Sequence, residues 1–386
     1  MQSYLIIGDA NSMHIYNYVK NILGVDNYKI SLMTLSTKRV REEYRQFYQE
    51  NDIKLYSIAE KYGDNIPNKT KKERIINFIR KYLLAKSLPK FDFCHIHSVY
   101  KTSLFFYLSN RRKFKHLITS FWGGDIEDKS KRLIKIREKC FKRANAITVT
   151  TQKTLEEFRD IYGNKFNDKL KVCRFATAGV ECIKKVYEEN FVDDCKEIVG
   201  FPKDKFCITC GYSAYADQHQ DVIINKIATL PQEIKNKIFI SVPMQYGKFE
   251  EDYVNSIYNA LQNCGCEYTV LTEYFPFEKK AAEAIATDLY IHMRDTDAFS
   301  NSLKEQICAG TTVIVGKWLK YYELEQMNAD FTYVDSFDKI PDIVLNCLEN
   351  KKEKRLFQPI YDMYSFVAVK NQWKEVFDFM VGENSK

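Results

Sequence analysis

The sequence predicts an α/β protein made of two doubly wound domains. Short apolar runs alternate with amphipathic stretches along the chain, which is typical of strands and helices in parallel sheets. A length of 386 residues favours two domains over a single hydrophobic core. Charge is divided as well: residues 1–180 hold 35 Lys and Arg against 18 Asp and Glu, and the remainder holds 23 against 33. A basic half joined to an acidic half indicates domains with different ligands.

The composition is that of a globular protein, with 45% hydrophobic and 28% charged residues. These values exclude a disordered or fibrous chain. Fourteen glycines and eight prolines are few for a loop-rich all-β protein. The composition therefore agrees with sheets that are covered by helices.

Seven strands and five helices are predicted in the first half. Apolar runs predict strands over residues 4–7, 30–35, 53–56, 94–97, 117–121, 146–150 and 171–174. Helical periodicity predicts helices over residues 12–23, 38–50, 71–85, 130–143 and 154–162. This alternation predicts parallel strands joined by helical crossovers.

The alternation resumes after residues 180–202, a polar and weakly periodic stretch that we interpret as a linker. Strands are predicted over residues 206–210, 238–243, 268–271, 289–292, 313–315 and 331–334, and helices over 220–228, 250–262, 277–286, 301–308 and 340–349. An aromatic amphipathic stretch follows over residues 361–380. We predict a basic Rossmann-like domain over 1–185, an acidic one over 200–358, and a helix within 359–386 that packs back toward the first domain.

The sequence also favours a cytoplasmic protein. The N-terminus lacks the positive flank and long apolar run of a signal peptide, and no window approaches the roughly 18 apolar residues of a membrane span. Eleven cysteines, an odd number, predict reduced thiols. Cys207 and Cys210 lie three apart on a predicted strand and so face opposite sides. We interpret them, and the pair Cys264 and Cys266, as buried thiols rather than zinc ligands.

The most informative segment covers residues 297–315, which read DAFSNSLKEQICAG followed by TTVIV. It predicts a loop, a helix that ends at Gly310, and a buried strand. Ser300, Asn301 or Ser302 would cap the helix. Asp297 lies in the loop before the helix, and Glu305 lies inside it. Free amides beside a carboxylate suit a sugar diphosphate, whose phosphates meet the amides and whose hydroxyls meet the acids.

This segment resembles the acidic-x7-acidic motif of retaining GT-B glycosyltransferases of the GT4 type. Phe299, Glu305 and Gly310 match in register, with Asp297 at the first acidic position and Ala298 and Ser300 at the two glycine positions. The resemblance implies two Rossmann-like domains that face each other across a cleft. It also implies that Asp297 contacts the donor sugar's hydroxyls and that Glu305 binds the ribose. A capped helix with two solvated acids is the alternative.

Neither a metal nor a dinucleotide cofactor is expected. The sequence Asp295-Thr296-Asp297 matches the DxD metal site of GT-A transferases. That fold would be one mixed domain, whereas this chain predicts two doubly wound ones. The loop after the first strand is not GxGxxG, so a dinucleotide is poorly supported.

Further donor-binding residues are predicted in loops of the second half. After residues 206–210 come Gly211, Tyr212, Ser213 and His219, where the resembling family usually has Arg and Lys-Gly for the diphosphate. Arg294 is the best-placed substitute, with His219, Lys304 and Arg174 as others, and an ion pair with Asp295 is its alternative. Tyr246, Thr272 and Glu273 are candidates for contacting the nucleotide base.

Acceptor-side residues are predicted after strands of the first half. Asn11 and His14 follow the opening strand, and His97 ends the strand over 94–97. Trp122, Gly123 and Asp125 occupy a segment where the resembling family often has T-x-H-G-x-D. We predict His97 and Asp125 as catalytic with Asp297, and Asn11, His14, Trp122 and Gly123 as acceptor contacts. Capping or turn-forming roles are the alternatives for His14 and Asp125.

Basic clusters occur over residues 69–74, 80–90, 111–115 and 129–143, several beside apolar residues in predicted helices. Such helices bind anionic membrane surfaces. A solvated basic surface is the alternative, and no nucleic-acid motif supports a nucleic-acid partner.

These features predict a metal-independent glycosyltransferase that is peripheral on the inner face of a membrane. It would move a sugar from a nucleotide sugar to a lipid-linked or growing glycan of a bacterial envelope polysaccharide, with retention. Two alternatives stay open: a nucleotide-sugar epimerase or hydrolase of the same fold, and a degenerate glycan-binding subunit.

Overall fold

A computed structural model describes residues 1–63, 66–126, 128–297 and 299–382. Its residues form two compact units. The first contains residues 1–176 and the C-terminal helix, and the second contains residues 177–365. Both are parallel α/β sheets with helices on their faces, so the predicted fold class is confirmed.

The sheet of the first unit has seven parallel strands in the order β3-β2-β1-β4-β5-β6-β7. The strands are β1 Gln2–Gly8, β2 Tyr28–Thr34, β3 Lys54–Tyr56, β4 Phe91–His97, β5 Phe114–Phe121, β6 Ala146–Val149 and β7 Leu170–Val172. The helices are α1 Met13–Asn17, continued by a π-helical turn Tyr18–Leu23, α2 Glu42–Glu50, α3 Ile58–Tyr62, α4 Lys71–Lys86, α5 Lys101–Asn110, α6 Lys131–Phe141 and α7 Gln152–Tyr162. Successive residues of a strand point to opposite faces of the sheet, so Leu5 packs into the core on one face and Tyr4 into the core on the other.

The sheet of the second unit has six parallel strands in the order β10-β9-β8-β11-β12-β13. The strands are β8 Phe206–Cys210, β9 Ile238–Pro243, β10 Glu267–Leu271, β11 Leu289–His292, β12 Thr312–Gly316 and β13 Phe331–Val334. The helices are α8 Ala178–Glu189, α9 Val192–Val199, α10 Gln220–Ile227, α11 Gln232–Lys235, α12 Glu251–Cys264, α13 Phe277–Ala286, α14 Asn301–Cys308, α15 Tyr322–Met327, α16 Ile340–Glu349 and α17 Gln358–Tyr364. Cys207 and Cys210 enter opposite cores, as their spacing predicts.

The predicted linker over residues 180–202 is wrong, because helices α8 and α9 occupy it. Both pack against α13. Val180, Ile183 and Val186 form a narrow buried stripe on α8, and Cys195 and Val199 form one on α9. The stripe is so narrow that polar residues dominate the sequence pattern. The first unit therefore ends at Ala176 rather than at residue 185.

The terminal amphipathic stretch forms two helices instead of one. Backbone at Ser365 is extended and separates α17, in the second unit, from α18, Phe366–Gly382, in the first. Trp373 of α18 is buried, with its ring 4.9 Å from Tyr18 and 5.2 Å from His95. Gln372 Oε1 accepts from the Arg174 amide at 3.1 Å. These contacts attach α18 to the first unit.

Three further findings concern cysteines, metals and membranes. All eleven cysteines are free thiols. Within the ranges given above, no group of three or more His, Cys, Asp and Glu side chains could hold a metal ion. No helix there is both long and apolar enough to cross a membrane.

Candidate functional site

Each sheet reverses its strand order beside its first strand, between β1 and β4 and between β8 and β11. Ligands of doubly wound sheets bind at this point, beyond the carboxyl ends of the strands. Most predicted site residues lie in the segments that leave these four strands. We call residues 211–219, 292–297 and 299–305 and their contacts the second-unit site.

The segment after β8 turns at Gly211, whose φ of +63° lies in the left-handed region. A Cβ at Gly211 would lie 2.9 Å from Gln218 Oε1. That oxygen accepts from the Tyr212 amide at 3.2 Å and so holds the turn. The Ser213 hydroxyl is buried without a hydrogen-bond partner among the described residues. The turn therefore places a short polar side chain next to Tyr212.

Arg294 leaves β11 and is held by two partners. Its Nε donates to Asp217 Oδ2 at 2.8 Å, and its Nη1 donates to the Tyr212 hydroxyl. Burial opposes ionisation, but the hydrogen bond and charge of Asp217 raise the pKa of Arg294 above its ordinary value. Nη2 has no partner among the residues described, so part of the guanidinium remains available to an anion.

The alternative in which Arg294 pairs with Asp295 is wrong. Asp295 Oδ1 lies 2.7 Å from His219 Nε2, and Arg294 pairs with Asp217 instead. The His219 ring also lies edge-on to Phe337, with 5.5 Å between centroids. His219, predicted as a second cation for a diphosphate, is thus already engaged by a carboxylate.

Asp297 is nearly buried, and one of its carboxylate oxygens accepts two hydrogen bonds and lies near His292, whose Nε2 is 3.0 Å from the Tyr321 hydroxyl. Oδ2 accepts from the Ser300 amide and the Tyr321 hydroxyl, both at 2.8 Å, and lies 3.4 Å from His292 Nε2. Burial alone would raise the pKa of Asp297, but His292 and the other donors lower it below its ordinary value. Oδ1 has no partner among the described residues. The structure thus fixes the charge of Asp297 and leaves one oxygen for a ligand.

Phe299, which lies just before α14, has an unusual backbone conformation. Phe299 has a φ of +66°, which is rare for a bulky side chain and is typical of strained backbone at functional sites. Its buried ring lies 5.4 Å from that of Tyr321 and 5.7 Å from that of Tyr364. Ala298, which the motif aligns with a glycine, lies outside the described residues.

Helix α14 begins with a capping serine, as predicted. The Ser300 hydroxyl accepts from the Leu303 amide at 3.4 Å, and the Ser300 carbonyl accepts from the Lys304 amide at 3.2 Å. Since the first four amides of a helix have no partner inside it, those of Asn301 and Ser302 remain. They stand beside Asp297, where the positive end of the helix favours an anion.

Glu305 lies one turn further along α14, and its side chain is 8% exposed. Its carboxylate accepts no hydrogen bond from any described residue. Burial raises the pKa of Glu305 to about 7, against the opposing charges of Lys280 and Lys304 and with the help of Glu283. A buried acid without a donor is costly, and a ligand hydroxyl group would supply the missing donor.

Gly179 of α8 makes room for Glu305, because a Cβ at Gly179 would lie 2.0 Å from Glu305 Oε1. We expect Gly179→Ala to push the carboxylate aside and weaken nucleotide binding at least about tenfold, the loss of one good polar contact. Calorimetric titration of the nucleotide checks this. Gly124→Ala is the matched control, since its Cβ would meet only the Tyr100 hydroxyl at 3.7 Å. Equal affinities in both variants would contradict the role given to Gly179.

Three predicted base contacts divide into two groups. The half-exposed Tyr246 ring lies 6.4 Å from Tyr212 and so belongs to the second-unit site. Thr272 and Glu273 follow β10, the edge strand, and β9 and β8 separate them from β11. Their segment lies beside that of Tyr246, because the Met244 amide donates to the Leu271 carbonyl at 2.8 Å, but no hydrogen bond joins Thr272 or Glu273 to a donor-binding candidate among the described residues.

Four residues of this site were missed in the sequence. His292 and Tyr321 orient Asp297, Asp217 holds Arg294, and Gly179 accommodates Glu305. Only His292 gave a signal, as a polar residue that ends an apolar strand. The others lie far along the chain from their partners, and no local pattern marks them.

The first unit has a cavity of about 420 Å³ at the carboxyl ends of β1 and β4. His97 and Trp122 line it together with Asp9 and several serines. Both ring nitrogens of His97 and the Trp122 Nε1 are buried without hydrogen-bond partners among the described residues. Burial and the charge of His14 lower the pKa of His97 to about 3. The cavity wall therefore contains a neutral imidazole and an indole N–H whose nitrogens have no partner among the described residues.

Asp125, predicted as catalytic, lies beneath this cavity and is inaccessible. Its Oδ1 accepts from the Ser98 hydroxyl at 2.7 Å, and its Oδ2 accepts from the amides of Val99 and Trp122 at 3.1 and 2.7 Å. A carboxylate that is fully buried and bonded on both oxygens cannot touch a substrate. Asp125 positions the segments after β4 and β5 instead.

The other predicted acceptor contacts have mixed positions. The Asn11 side chain accepts from the Arg41 amide at 2.7 Å and donates to the Arg39 carbonyl at 3.0 Å, so it holds the backbone. This bonding holds the backbone of Arg39 and Arg41 outside a helix, and α2 begins at Glu42 rather than at residue 38. His14 stacks on Phe175 at 4.4 Å and lies edge-on to Trp122. Gly123 begins a short 3-10 turn.

Similarity to solved structures establishes the class of fold. HepE from Anabaena, solved with UDP and glucose, matches with a TM-score of 0.65 and 12% identity over 98% of this chain and 100% of its own. Sucrose-phosphate synthase from Thermosynechococcus elongatus matches with a TM-score of 0.71 and 11% identity over 99% and 100% of the two chains. A glycosyltransferase from Rickettsia africae matches with a TM-score of 0.64 and 10% identity over 98% and 99%.

These structures have the GT-B glycosyltransferase fold, and this chain has it too. No protein-family model matches the chain, and no curated protein matches it by sequence. At such low identities, the similarity establishes the fold but not the activity or the substrates.

Proposed function

We propose that this protein is a glycosyltransferase that takes a sugar from a nucleoside diphosphate sugar. The observation that carries the proposal is the Asp297 carboxylate, whose Oδ2 is held by the Ser300 amide and the Tyr321 hydroxyl, with His292 Nε2 at 3.4 Å, while its Oδ1 is open. Asp297 follows Arg294 by three residues and accepts from the Ser300 amide at the start of α14. An oriented negative charge beside anion-binding groups suits a donor whose sugar gains positive charge as its diphosphate leaves.

The donor groups divide among the residues of the second-unit site. Asp297 Oδ1 accepts from the sugar hydroxyls, and Glu305 accepts from the ribose hydroxyls. The amides of Asn301 and Ser302 and the free Nη2 of Arg294 bind the diphosphate. HepE was solved in complexes with UDP and with UDP-glucose, so uridine nucleotides are the first donors to test.

The reaction is displacement at the anomeric carbon with retention. The bond from that carbon to the diphosphate oxygen breaks, and the acceptor hydroxyl oxygen bonds on the same face. The hydroxyl proton goes to the leaving diphosphate. No metal enters this proposal, and chelation by EDTA should leave the rate unchanged.

The cavity of the first unit is proposed to bind the acceptor. Aromatic rings with unpaired polar atoms suit a sugar, which stacks on the ring and hydrogen-bonds at its edge. The acceptor is proposed to be a lipid-linked or growing glycan of a bacterial envelope polysaccharide. The free thiols agree with a cytoplasmic location.

The test is a calorimetric panel of nucleoside diphosphates and their sugars, followed by product analysis with an oligosaccharide acceptor. A transferred sugar with retained configuration is the expected result. A new sugar epimer or free sugar formed without acceptor would indicate the epimerase or hydrolase. Absence of nucleotide binding throughout the panel would contradict the proposal and favour a glycan-binding subunit.

His97→Asn is expected to raise the acceptor KM at least about tenfold, because it removes an imidazole from the cavity wall. The nucleotide Kd should not change, since His97 belongs to the other unit. Because its pKa is about 3, its contribution to the wild-type KM should stay constant between about pH 5 and 8. Steady-state kinetics across that range measure both effects. A changed nucleotide Kd with an unchanged acceptor KM would refute this assignment.

A further inference from the structure

Helix α4 presents an unusual outward face to solvent. Ile75, Ile76, Ile79 and Leu83 are 38–54% exposed, although they are large and apolar. Their spacing of three, four and seven residues places them on one side of the helix. The opposite side is buried through Asn77, Leu84 and Ala85. An exposed apolar stripe opposite the buried side is unusual for a helix of a globular protein, so the outward face is suited to contact with another apolar surface.

The exposed apolar surface continues onto α5. Phe78 is 41% exposed, and its ring lies 5.3 Å from that of Phe105, which is 39% exposed. The Tyr82 ring lies 6.1 Å from Phe105. Contiguous exposed apolar surface of this kind marks a protein or membrane contact. We call the exposed residues 75, 76, 78, 79, 83 and 105 the apolar face.

The charge around the apolar face is strongly basic. Helix α4 carries the basic residues Lys71, Lys72, Arg74, Arg80, Lys81 and Lys86. Its only acid, Glu73, is occupied by the Lys69 and Thr70 amides at 2.8 and 2.9 Å. Lys72 and Lys86 extend the apolar stripe at its two ends, since they lie seven residues from Ile79. Apolar residues framed by lysines are typical of helices that lie in a membrane interface.

A basic cavity adjoins the C-terminal end of α4. It has a volume of about 380 Å³, and Lys86, Arg111, Arg112 and Lys113 line it. Lys113 Nζ donates to the Lys86 carbonyl at 2.6 Å, which ties the cavity to α4. Neither Arg111 nor Arg112 forms an ion pair with any described residue. Two unpaired guanidiniums beside an apolar stripe suit the phosphate group of an anionic lipid.

We propose that the apolar face and this basic cavity dock the first unit onto an anionic membrane surface. The isoleucine and leucine side chains enter the acyl boundary, and the lysines and arginines contact the lipid phosphates. A lipid surface is a better match than an acidic protein, because lysines flank large apolar side chains along the stripe, and such helices lie at the boundary between lipid phosphates and acyl chains. The inference goes beyond the proposed reaction, since binding to vesicles needs neither donor nor acceptor.

The experiment is co-sedimentation of the full-length protein with phosphatidylcholine vesicles, with and without phosphatidylglycerol. Wild type should partition at least about tenfold more strongly onto the anionic vesicles, and added salt should weaken it. The double variant Ile79→Glu/Leu83→Glu should lose about tenfold or more of this partitioning. Arg111→Ser/Arg112→Ser should lose the preference for phosphatidylglycerol.

Ile198→Glu is the matched control, because Ile198 of α9 is 47% exposed and belongs to the other unit. It should partition like wild type. Circular dichroism melts confirm that each variant is folded, and nucleotide affinity should be equal in all of them. Equal partitioning of wild type and Ile79→Glu/Leu83→Glu, or no vesicle binding by wild type at low salt, would overturn the proposal. Concentration-dependent dimerisation that this double variant abolishes, without vesicle binding, would assign the apolar face to a second copy of the chain.

Discussion

Replacing Asp297 by asparagine is expected to lower kcat by about 10²–10³-fold, the usual cost of losing one oriented electrostatic group. The amide has nearly the shape of the carboxylate and can still accept from the Ser300 amide and the Tyr321 hydroxyl. It loses the negative charge that would face the developing positive charge of the sugar. Release of nucleoside diphosphate from the sugar donor in the presence of acceptor measures the rate.

Asp295→Asn is the control for this variant, because Asp295 lies two residues away, is exposed and pairs with His219. It should keep turnover within about threefold of wild type, as surface substitutions usually do. An equally active Asp297→Asn would mean that the acid only supports the turn into α14. The charge of Asp297 also affects the folding stability of the protein. Because folding lowers the pKa of Asp297, its negative charge stabilises the folded protein above about pH 4, and this contribution is lost as the pH falls.

Nucleotide binding is expected to tighten about tenfold between pH 6 and 8, and Glu305→Gln should remove this dependence. With a pKa of about 7, Glu305 is about one-tenth ionised at pH 6 and about nine-tenths at pH 8. Ribose hydroxyls donate hydrogen bonds to the ionised form, so binding should release a proton in this range. Calorimetry in buffers of different ionisation enthalpy measures the proton release directly.

Glu305→Gln should also change the stability of the protein without ligand. Since folding raises the pKa of Glu305, the free energy of unfolding falls as pH rises from about 4.5 through 7. Glu305→Gln should therefore stabilise the unliganded protein at pH 8, by up to about 3 kcal/mol. Titration of the phosphate also affects binding, but it is common to wild type and variant and cancels. A pH dependence that survives in Glu305→Gln would assign it to the phosphate or to another group.

Much of the fold was predictable because its signals are local. Every predicted strand has its counterpart in the two sheets. A strand such as residues 206–210 is apolar on both faces, so its own residues identify it without knowledge of what it packs against. Helices α8 and α9 were not recognised, because their buried stripes are narrow and their partner α13 is distant in sequence. Helix α5 was missed because apolar residues occur on several of its faces.

The candidate site was predictable only in part. The pattern from Asp297 to Glu305 identified α14 and its cap, which depend on consecutive residues. The partners of these acids could not be read in the same way. Asp125 has the residue type of a catalytic acid, yet the Ser98 hydroxyl occupies one of its oxygens and two backbone amides occupy the other.

The sequence by itself determined two parallel α/β sheets, the charge division between the two halves of the chain, and the segment that holds two acids. These follow from short-range periodicity and composition. Only the tertiary structure decided that Arg294 pairs with Asp217, 77 residues away, and that Glu305 lies buried against Gly179. Ionisation and hydrogen bonding depend on atoms within a few ångströms in space. The fold brings those atoms together from positions that no local pattern connects.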